Sequence, residues 1–155
     1  MKDILLICVI DYVEQDDTQA AFWYRKAAEQ NYPTAQCNLG RMYVKKKNYS
    51  QALSCYLKAA EQNNIADAQY NLGRMYFIGQ GVKQDDTLAV FWYRKAAKQS
   101  HTRSQSALGF MYAKGLGVKQ DHQQAVFWHR KAAEKGHIVS QQYLMENITP
   151  TLKMY

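Results

Sequence analysis

Histidines, cysteines and paired carboxylates are the residues best able to support catalysis or metal binding, and this sequence does not space them for either. The histidines show no His-x-x-x-His spacing and occupy loop, cap and variable positions: His101, His122, His129 and His137. The cysteines lack the Cys-x-x-Cys spacing of a zinc site and do not indicate a disulfide framework: Cys8, Cys37 and Cys55. The Gly-x-Gly turn follows a predicted helix instead of a strand, which argues against a phosphate-binding loop. We therefore expect no enzymatic activity, no metal and no cofactor.

The charge balance predicts acidic partners. The chain carries 20 Lys and Arg against 13 Asp and Glu, a net charge of +7. RNA or single-stranded DNA is one such partner, because helical repeats with exposed aromatic residues can bind it. Most basic residues, however, are Arg-Lys pairs fixed in one helix of each repeat, away from the expected groove. The basic run from Lys45 to Lys47 is interpreted as a solvated turn.

The first residues do not resemble a targeting sequence. The opening MKDILLICVI has an apolar run from Ile4 to Ile10 that ends at Asp11, without the length or the cleavage site of a signal peptide. No segment approaches the roughly 20 apolar residues of a membrane span. We expect reduced thiols and a cytoplasmic location, with a periplasmic or secreted location left open.

The elements that would position functional residues recur along the chain. The heptapeptide FWYRKAA begins at Phe22 and at Phe91, returns as FWHRKAA at Phe127, and is weaker at Ser54 as SCYLKAA. Three sequences related to AQYNLGRMY, at residues 35, 68 and 104, keep the same period. Self-similarity every 32 to 37 residues indicates an array of helical repeats.

Each motif fits one amphipathic helix, and we call the helix with AQYNLGRMY the A-type and the helix with FWYRKAA the B-type. Neither helix can bury its apolar stripe alone, so neighbouring repeats must share one core. The aromatic residues next to each Phe are predicted to lie in that core: Trp23, Tyr24, Trp92, Tyr93 and Trp128. The B-type helices are predicted to end at left-handed residues: Asn31, Asn63, Ser100 and Gly136.

The Leu-Gly, Gly-x-Gly-Val and Trp-Tyr-x-Lys-Ala-Ala elements, in this order and spacing, resemble the Sel1-like repeat, a relative of the tetratricopeptide repeat. The resemblance covers about residues 12–144. It implies an all-α fold, a right-handed α-solenoid of antiparallel helix pairs, used as an adaptor for other proteins. The disulfide-bonded branch of that family has cysteines where this chain has residues such as Ala97 and Gln105, so no such disulfides are expected.

We interpret residues 1–155 as a single repeat domain. It comprises an incomplete first repeat (1–34), a short second repeat (35–67), a third (68–103), a fourth (104–139), a capping helix (140–149) and a tail (150–155). The second repeat lacks the Gly-x-Gly-Val turn and has Cys55 where others have Trp, which predicts a tighter corner. The opening half-repeat is either a divergent cap or an end that mediates self-association.

The side of the A-type helices opposite the core stripe is the predicted partner-binding groove, since the resemblance places these helices on the concave side. Its predicted residues are Asn38, Arg41, Tyr70, Asn71, Arg74, Phe77, Phe110 and Gln142, and Cys37 and Ser106 share that side. Asn amides can hold a peptide backbone and Arg can bind a carboxylate or phosphate. Alternatively, some of these residues cap helices or pack between repeats.

A second surface carries Phe22, Phe91 and Phe127, nearly opposite the core stripe of the B-type helices. These rings are either an exposed ladder or, as we favour, packed sideways on the next B-type helix. Together the patterns predict a non-catalytic scaffold that binds an extended segment or a helix of another protein. Binding of RNA or single-stranded DNA is the alternative hypothesis.

Overall fold

The computed structural model describes residues 17–62 and 64–148, which contain eight α-helices and no strand. The B-type helices are α1 (Asp17–Glu29), α3 (Tyr49–Leu57), α5 (Asp86–Lys98) and α7 (His122–Ala133). The A-type helices are α2 (Pro33–Lys45), α4 (Ala66–Ile78), α6 (Thr102–Lys114) and α8 (Ile138–Ile148). The predicted all-α fold is confirmed. Within these residues no helix combines the length and the apolar character needed to cross a lipid bilayer.

The chain forms two compact units that divide between Ala68 and Gln69. In the first unit, α1 packs on α2 and α2 packs on α3. In the second unit, α5 packs on α6, α6 on α7 and α7 on α8. Short connections make these neighbours antiparallel. The expected A-type helix of the opening half-repeat, with its proposed self-association, and the tail fall on residues 1–16 and 149–155, outside the described part of the chain.

One close contact recurs in every complete helix pair, between a glycine of the A-type helix and an aromatic ring of the B-type helix. A Cβ atom added to Gly73 would lie 2.6 Å from the ring of Tyr93, closer than two carbon atoms can approach. The same contact joins Gly40 to Tyr56 and Gly109 to His129, with 2.7 Å in each case. Because glycine has no side chain, the aromatic ring of the B-type helix can pack directly against the backbone of the A-type helix.

The core of the second unit lies between α5 and α6 and consists of Ala89, Val90, Tyr93, Ala97, Leu108 and Met111. Trp92 is buried beside it and Trp128 is half-buried against it. The prediction that every Trp lies in the core is wrong for Trp23, which is 37% exposed. Trp23 belongs to the first described helix, and the A-type helix expected to pack beside it falls outside the described residues.

The turns between paired helices differ between repeats as the sequence predicts. In the third repeat, Gly79 and Gly81 have φ values of 68° and 73°, and Asp85 then caps α5 by accepting a hydrogen bond from the Leu88 N–H at 2.9 Å. In the second repeat, three residues, 46–48, join α2 to α3, with Lys47 at φ 57°. The tighter corner expected there is confirmed.

The B-type helices end near the predicted left-handed residues. Asn31, Ser100 and Gly136 have positive φ, as expected. After α3, a π-helical turn spans Lys58–Gln62, and the left-handed residue is Asn64. The prediction placed it at Asn63, which lies outside the described residues.

Candidate functional site

The eight predicted groove residues all lie on A-type helices. In the first unit, α2 carries Asn38 and Arg41. In the second unit, α4 carries Tyr70, Asn71, Arg74 and Phe77, α6 carries Phe110, and α8 carries Gln142. Within each unit these side chains are exposed to different degrees, and their contacts divide them into surface residues and packing residues.

The first turns of α2 and α6 are less accessible than predicted. Cys37 on α2 is 4% exposed and Ser106 on α6 is 9% exposed, so the expectation that they lie on the groove surface is wrong. In the second unit the physical reason is visible, because Gln105 Nε2 donates a hydrogen bond to the Ala97 carbonyl at 3.3 Å. This bond holds the first turn of α6 against the end of α5 and covers that turn.

The end of α4 and the second half of α6 bring two predicted residues together. The rings of Phe77 and Phe110 meet edge to face, with centroids 6.2 Å apart and an interplanar angle of 85°. Phe77 lies partly buried over the core, whereas Phe110 is 41% exposed. Arg74, one turn before Phe77, is exposed. Arg74 and Phe77 therefore follow one another along one side of α4, and Phe110 meets Phe77 from α6.

Tyr70 has a packing role. Its ring lies 5.9 Å from that of Tyr93 and 5.1 Å from that of His101. Burial raises the pKa of Tyr93 above its usual value, and negative charge on Tyr70 raises it further while Arg74 lowers it. The alternative stated above, that some predicted groove residues pack between repeats, therefore describes Tyr70.

The remaining predicted residues are polar. Gln142 is exposed on α8, where its Nε2 donates to Glu146 Oε1 at 3.2 Å. Arg41 is exposed on α2 and Asn38 is half-buried one turn before it. Arg41 in the first unit and Arg74 in the second occupy equivalent positions in their repeats, directly after the Leu-Gly of the A-type motif.

A buried histidine on α7 links this helix to α8. His129 Nδ1 lies 3.0 Å from Ser140 Oγ, which also lies 3.1 Å from His137 Nδ1, and the His129 ring stacks on Tyr143 at 4.0 Å. Burial, with a smaller contribution from His137, lowers the pKa of His129 to about 4. The imidazole is therefore neutral at physiological pH and acts as a polar link between α7 and α8. The signal in the sequence was that His129 replaces the Tyr of other repeats.

In residues 17–62 and 64–148, no three His, Cys, Asp or Glu side chains lie close enough together to hold a metal ion. Of the described cysteines, Cys37 is buried and Cys55 is a half-buried free thiol. Burial raises the pKa of the Cys55 thiol, an effect that nearby Lys58 partly opposes. Cys55 is therefore held in its neutral, less nucleophilic form.

The Phe residues of the B-type helices are exposed, and the favoured prediction of sideways packing is wrong. Phe22, Phe91 and Phe127 are 54%, 47% and 47% exposed. Each ring instead rests edge-on against the Trp that follows it in the sequence, with centroids 5.0 to 5.3 Å apart. The apolar surface that a neighbouring helix was expected to cover is thus partly covered within the same helix and partly open.

Comparison with protein families matches four Sel1 repeats, at residues 10–32, 33–64, 66–101 and 102–137. Among solved structures, a Sel1 repeat protein from Oxalobacter formigenes is 37% identical over 86% of this chain, with a TM-score of 0.79. The protective antigen c5321 of uropathogenic Escherichia coli strains, which displays an SLR fold, is 36% identical over 92% of the chain, with a TM-score of 0.82. Helicobacter pylori cysteine rich protein B is 29% identical over 77% of the chain, with a TM-score of 0.61. Comparison with curated proteins gave no match.

The lengths of these similar structures differ. The chain covers 56% of the Oxalobacter protein and 32% of c5321, so it spans about half and about a third of their lengths. It covers 93% of the Helicobacter protein. The likenesses confirm the predicted fold class, an α-solenoid built from helix pairs.

Proposed function

Because the chain belongs to the Sel1 repeat family, whose members are generally protein-interaction scaffolds, we propose that it binds another protein along the exposed side of its A-type helices. In this proposal the chain has no catalytic role. The repeated core residues hold the helices in place, and the residues that differ between repeats select the partner.

The observation that carries the proposal is the Phe77–Phe110 pair with Arg74 beside it. The two rings belong to neighbouring A-type helices of the second unit and meet edge to face at 6.2 Å, which fixes their orientation before any partner binds. An exposed aromatic ring next to an arginine is typical of the residues that dominate binding energy in protein interfaces. Phe110, 41% exposed, supplies the open part of this surface.

The chemistry of these residues defines the partner. The Phe110 ring favours an apolar side chain, and the forked guanidinium of Arg74 favours a carboxylate on the same segment. Asn71, half-buried beside Arg74, places an amide where the backbone of an extended segment can be hydrogen-bonded. We therefore propose as partner a protein segment, extended or helical, with an apolar residue next to an acidic one.

The proposal is tested by quantitative affinity capture from the native cell followed by mass spectrometry. The double variant Arg41→Glu, Arg74→Glu should lose partners that the wild-type protein captures, because both arginines are exposed. The matched control, Lys83→Glu, Lys119→Glu, makes the same change in net charge at equivalent exposed turn positions of the third and fourth repeats and should retain the partners. Equal recovery of every partner by both double variants would contradict the groove assignment.

The nucleic-acid hypothesis is tested separately with RNA and single-stranded DNA in gel-shift titrations at two salt concentrations. Binding that depends on phosphate contacts weakens steeply as salt rises. The protein-binding proposal predicts no shift at the lower salt concentration. A shift there that disappears at the higher concentration would favour the nucleic-acid alternative.

A further inference from the structure

The B-type helices of the second unit expose an apolar and basic surface that the proposed groove does not use. We call it the Phe–Lys face, and define it as Leu88, Phe91 and Lys95 on α5 with Phe127 and Lys131 on α7. Leu88 is 40% exposed and the two Phe rings are each 47% exposed. Leu88, Phe91 and Lys95 follow one another at helical spacing, so they lie along one side of α5.

The two Phe rings are held in fixed orientations. Phe91 meets Trp92 edge to face, with centroids 5.0 Å apart and an interplanar angle of 79°, and Phe127 meets Trp128 at 5.0 Å and 82°. Trp92 is itself 5% exposed and Trp128 packs against the core. Because their neighbours are anchored, the Phe rings lose little conformational freedom when a partner covers them.

The ammonium group of a lysine lies close to each Phe ring. Lys95 Nζ lies 4.8 Å from the centroid of Phe91 and 5.1 Å from that of Trp92, and Lys131 Nζ lies 5.1 Å from the centroid of Phe127. These distances are those of cation–π contacts, which hold each ammonium group beside its ring. The Phe–Lys face therefore has two places, one on α5 and one on α7, where an exposed apolar ring and a positive charge lie next to each other.

The two halves of the face lie on neighbouring helices that are connected at both ends. Both α5 and α7 pack on α6. At one end, Lys135 Nζ donates a hydrogen bond to the Ser100 carbonyl. At the other end, Gly117 lies so close to the Asp86 main chain that it has no room for a side chain. These contacts connect the segments that carry the two ring and ammonium pairs at both ends.

The charges around the face are mainly positive. The exposed basic side chains on and just after α5 and α7 are Lys95, Lys98, Arg130, Lys131 and Lys135. The acidic side chains near these helices are Glu134 after α7, the half-buried Asp86 at the start of α5, and the helix caps Asp85 and Asp121, which each accept a hydrogen bond from a backbone N–H. Arg94 Nη2 donates a hydrogen bond to the hydroxyl oxygen of Tyr112 at 2.9 Å. A partner of complementary charge is acidic.

We propose that the Phe–Lys face is a second protein-binding surface, which takes an acidic segment whose apolar side chains rest on Phe91 and Phe127. Carboxylates of that segment bind Lys95 and Lys131. The second repeat has Ser54 and Cys55 where the third has Phe91 and Trp92, so α3 does not reproduce this face. The proposal does not depend on the groove, because no residue is shared between them.

Fluorescence anisotropy with a labelled synthetic peptide of Glu, Leu and Ser tests the proposal. The wild-type protein should bind it, and a matched peptide with Gln for Glu should bind at least about tenfold more weakly. The variants Phe91→Ser, Phe127→Ser and Lys95→Gln, Lys131→Gln should each weaken binding by about tenfold or more. The control Lys83→Gln, Lys119→Gln, at exposed turn positions outside both surfaces, should leave the affinity unchanged. Because the substituted side chains are exposed, thermal melts should show that all variants remain folded.

Three results would overturn the proposal. The first is no binding of the acidic peptide by the wild-type protein. The second is an affinity that the Phe–Lys face substitutions leave unchanged, or that the control Lys83→Gln, Lys119→Gln lowers equally, which would place the peptide elsewhere. The third is binding to phosphatidylserine vesicles without binding to the peptide, which would assign the face to an anionic membrane. None of these results bears on partner capture by Arg41 and Arg74.

Discussion

The second and third helix pairs, α2 with α3 and α4 with α5, solve the same packing problem with different residues. Both place a tyrosine on a glycine: Tyr56 on Gly40 and Tyr93 on Gly73, with each tyrosine at most 3% exposed. The residue before the tyrosine differs, since Cys55 is half-buried and Trp92 is 5% exposed. The turn differs as well, with three residues in one pair and seven, 79–85, in the other.

This difference separates what a helix pair requires from what it can vary. The ring-on-glycine contact is kept in both pairs, so it is the contact that defines the pair. The Trp and the Gly-x-Gly-Val turn are absent from the second pair, which still forms. Burial of the Trp therefore adds stability to the third pair without being needed to form a pair. The loss of the exposed Phe leaves α3 without the ring that α5 and α7 each contribute to the Phe–Lys face.

The largest expected effect is at the position where the pairs differ. Trp92→Ala should lower the free energy of unfolding by about 3 to 5 kcal/mol, because a buried indole leaves a cavity. The matched change Cys55→Ala should cost less than about 1 kcal/mol, because it removes one atom from a half-buried site. Urea denaturation of both variants measures the comparison. Equal losses would show that the second pair depends on Cys55 as the third depends on Trp92.

The next effect concerns the fourth pair, where His129 takes the place of the tyrosine. Its pKa is lowered to about 4 in the folded protein from 6.5. The unfolded chain therefore binds a proton that the folded chain does not, and stability should fall by up to about 3 kcal/mol as the pH decreases from about 6.5 to 4. Thermal melts across this range measure it. His129→Gln, which does not titrate, should lose this part of the pH dependence, and an unchanged pH profile would contradict the assignment.

A smaller effect tests what the two pairs share. Gly73→Ala and Gly40→Ala should each cost about 1 to 3 kcal/mol, because the new methyl group would overlap the tyrosine ring at 2.6 or 2.7 Å. Asn71→Ala on the same helix as Gly73 is the control and should change stability little. Chemical denaturation gives the three values. A cost in one pair alone would show that the ring-on-glycine contact is not common to both.

The smallest effect compares the helix caps. Asp85 accepts a hydrogen bond from the Leu88 N–H at 2.9 Å, whereas Asn48 accepts one from the Gln51 N–H at 3.4 Å. Asp85→Ala should therefore cost about 1 kcal/mol and Asn48→Ala less. Melting temperatures of the two variants rank them. A larger cost for Asn48→Ala would mean that the tight corner of the second pair depends on its cap more than the glycine turn does.

The sequence predicted the features that follow from helical periodicity and turn chemistry. The A-type and B-type helices and the shorter corner at residues 46–48 are all present. It did not predict which other sides of a helix are covered, because a side chain opposite the core can meet a neighbour or solvent. For that reason Cys37 was expected at the surface and is buried, whereas Phe91 was expected to be covered and is half exposed.

The candidate site was predictable to a similar degree. The choice of helix and side follows from the repeat, so Arg74 and Phe110 lie on the surface as expected. The edge-to-face contact of Phe77 with Phe110 depends on how α4 and α6 are placed in space, which no periodicity specifies. The packing of Tyr70 on His101 has the same origin.

We propose that the protein binds another protein through the exposed side of its A-type helices. Hydrogen–deuterium exchange with a captured partner tests this most directly. We predict slower exchange on binding in peptides from α4 and α6, residues 66–78 and 102–114, with unchanged exchange in the 46–48 turn. Unchanged exchange in both helices, with slower exchange confined to other segments, would contradict the account.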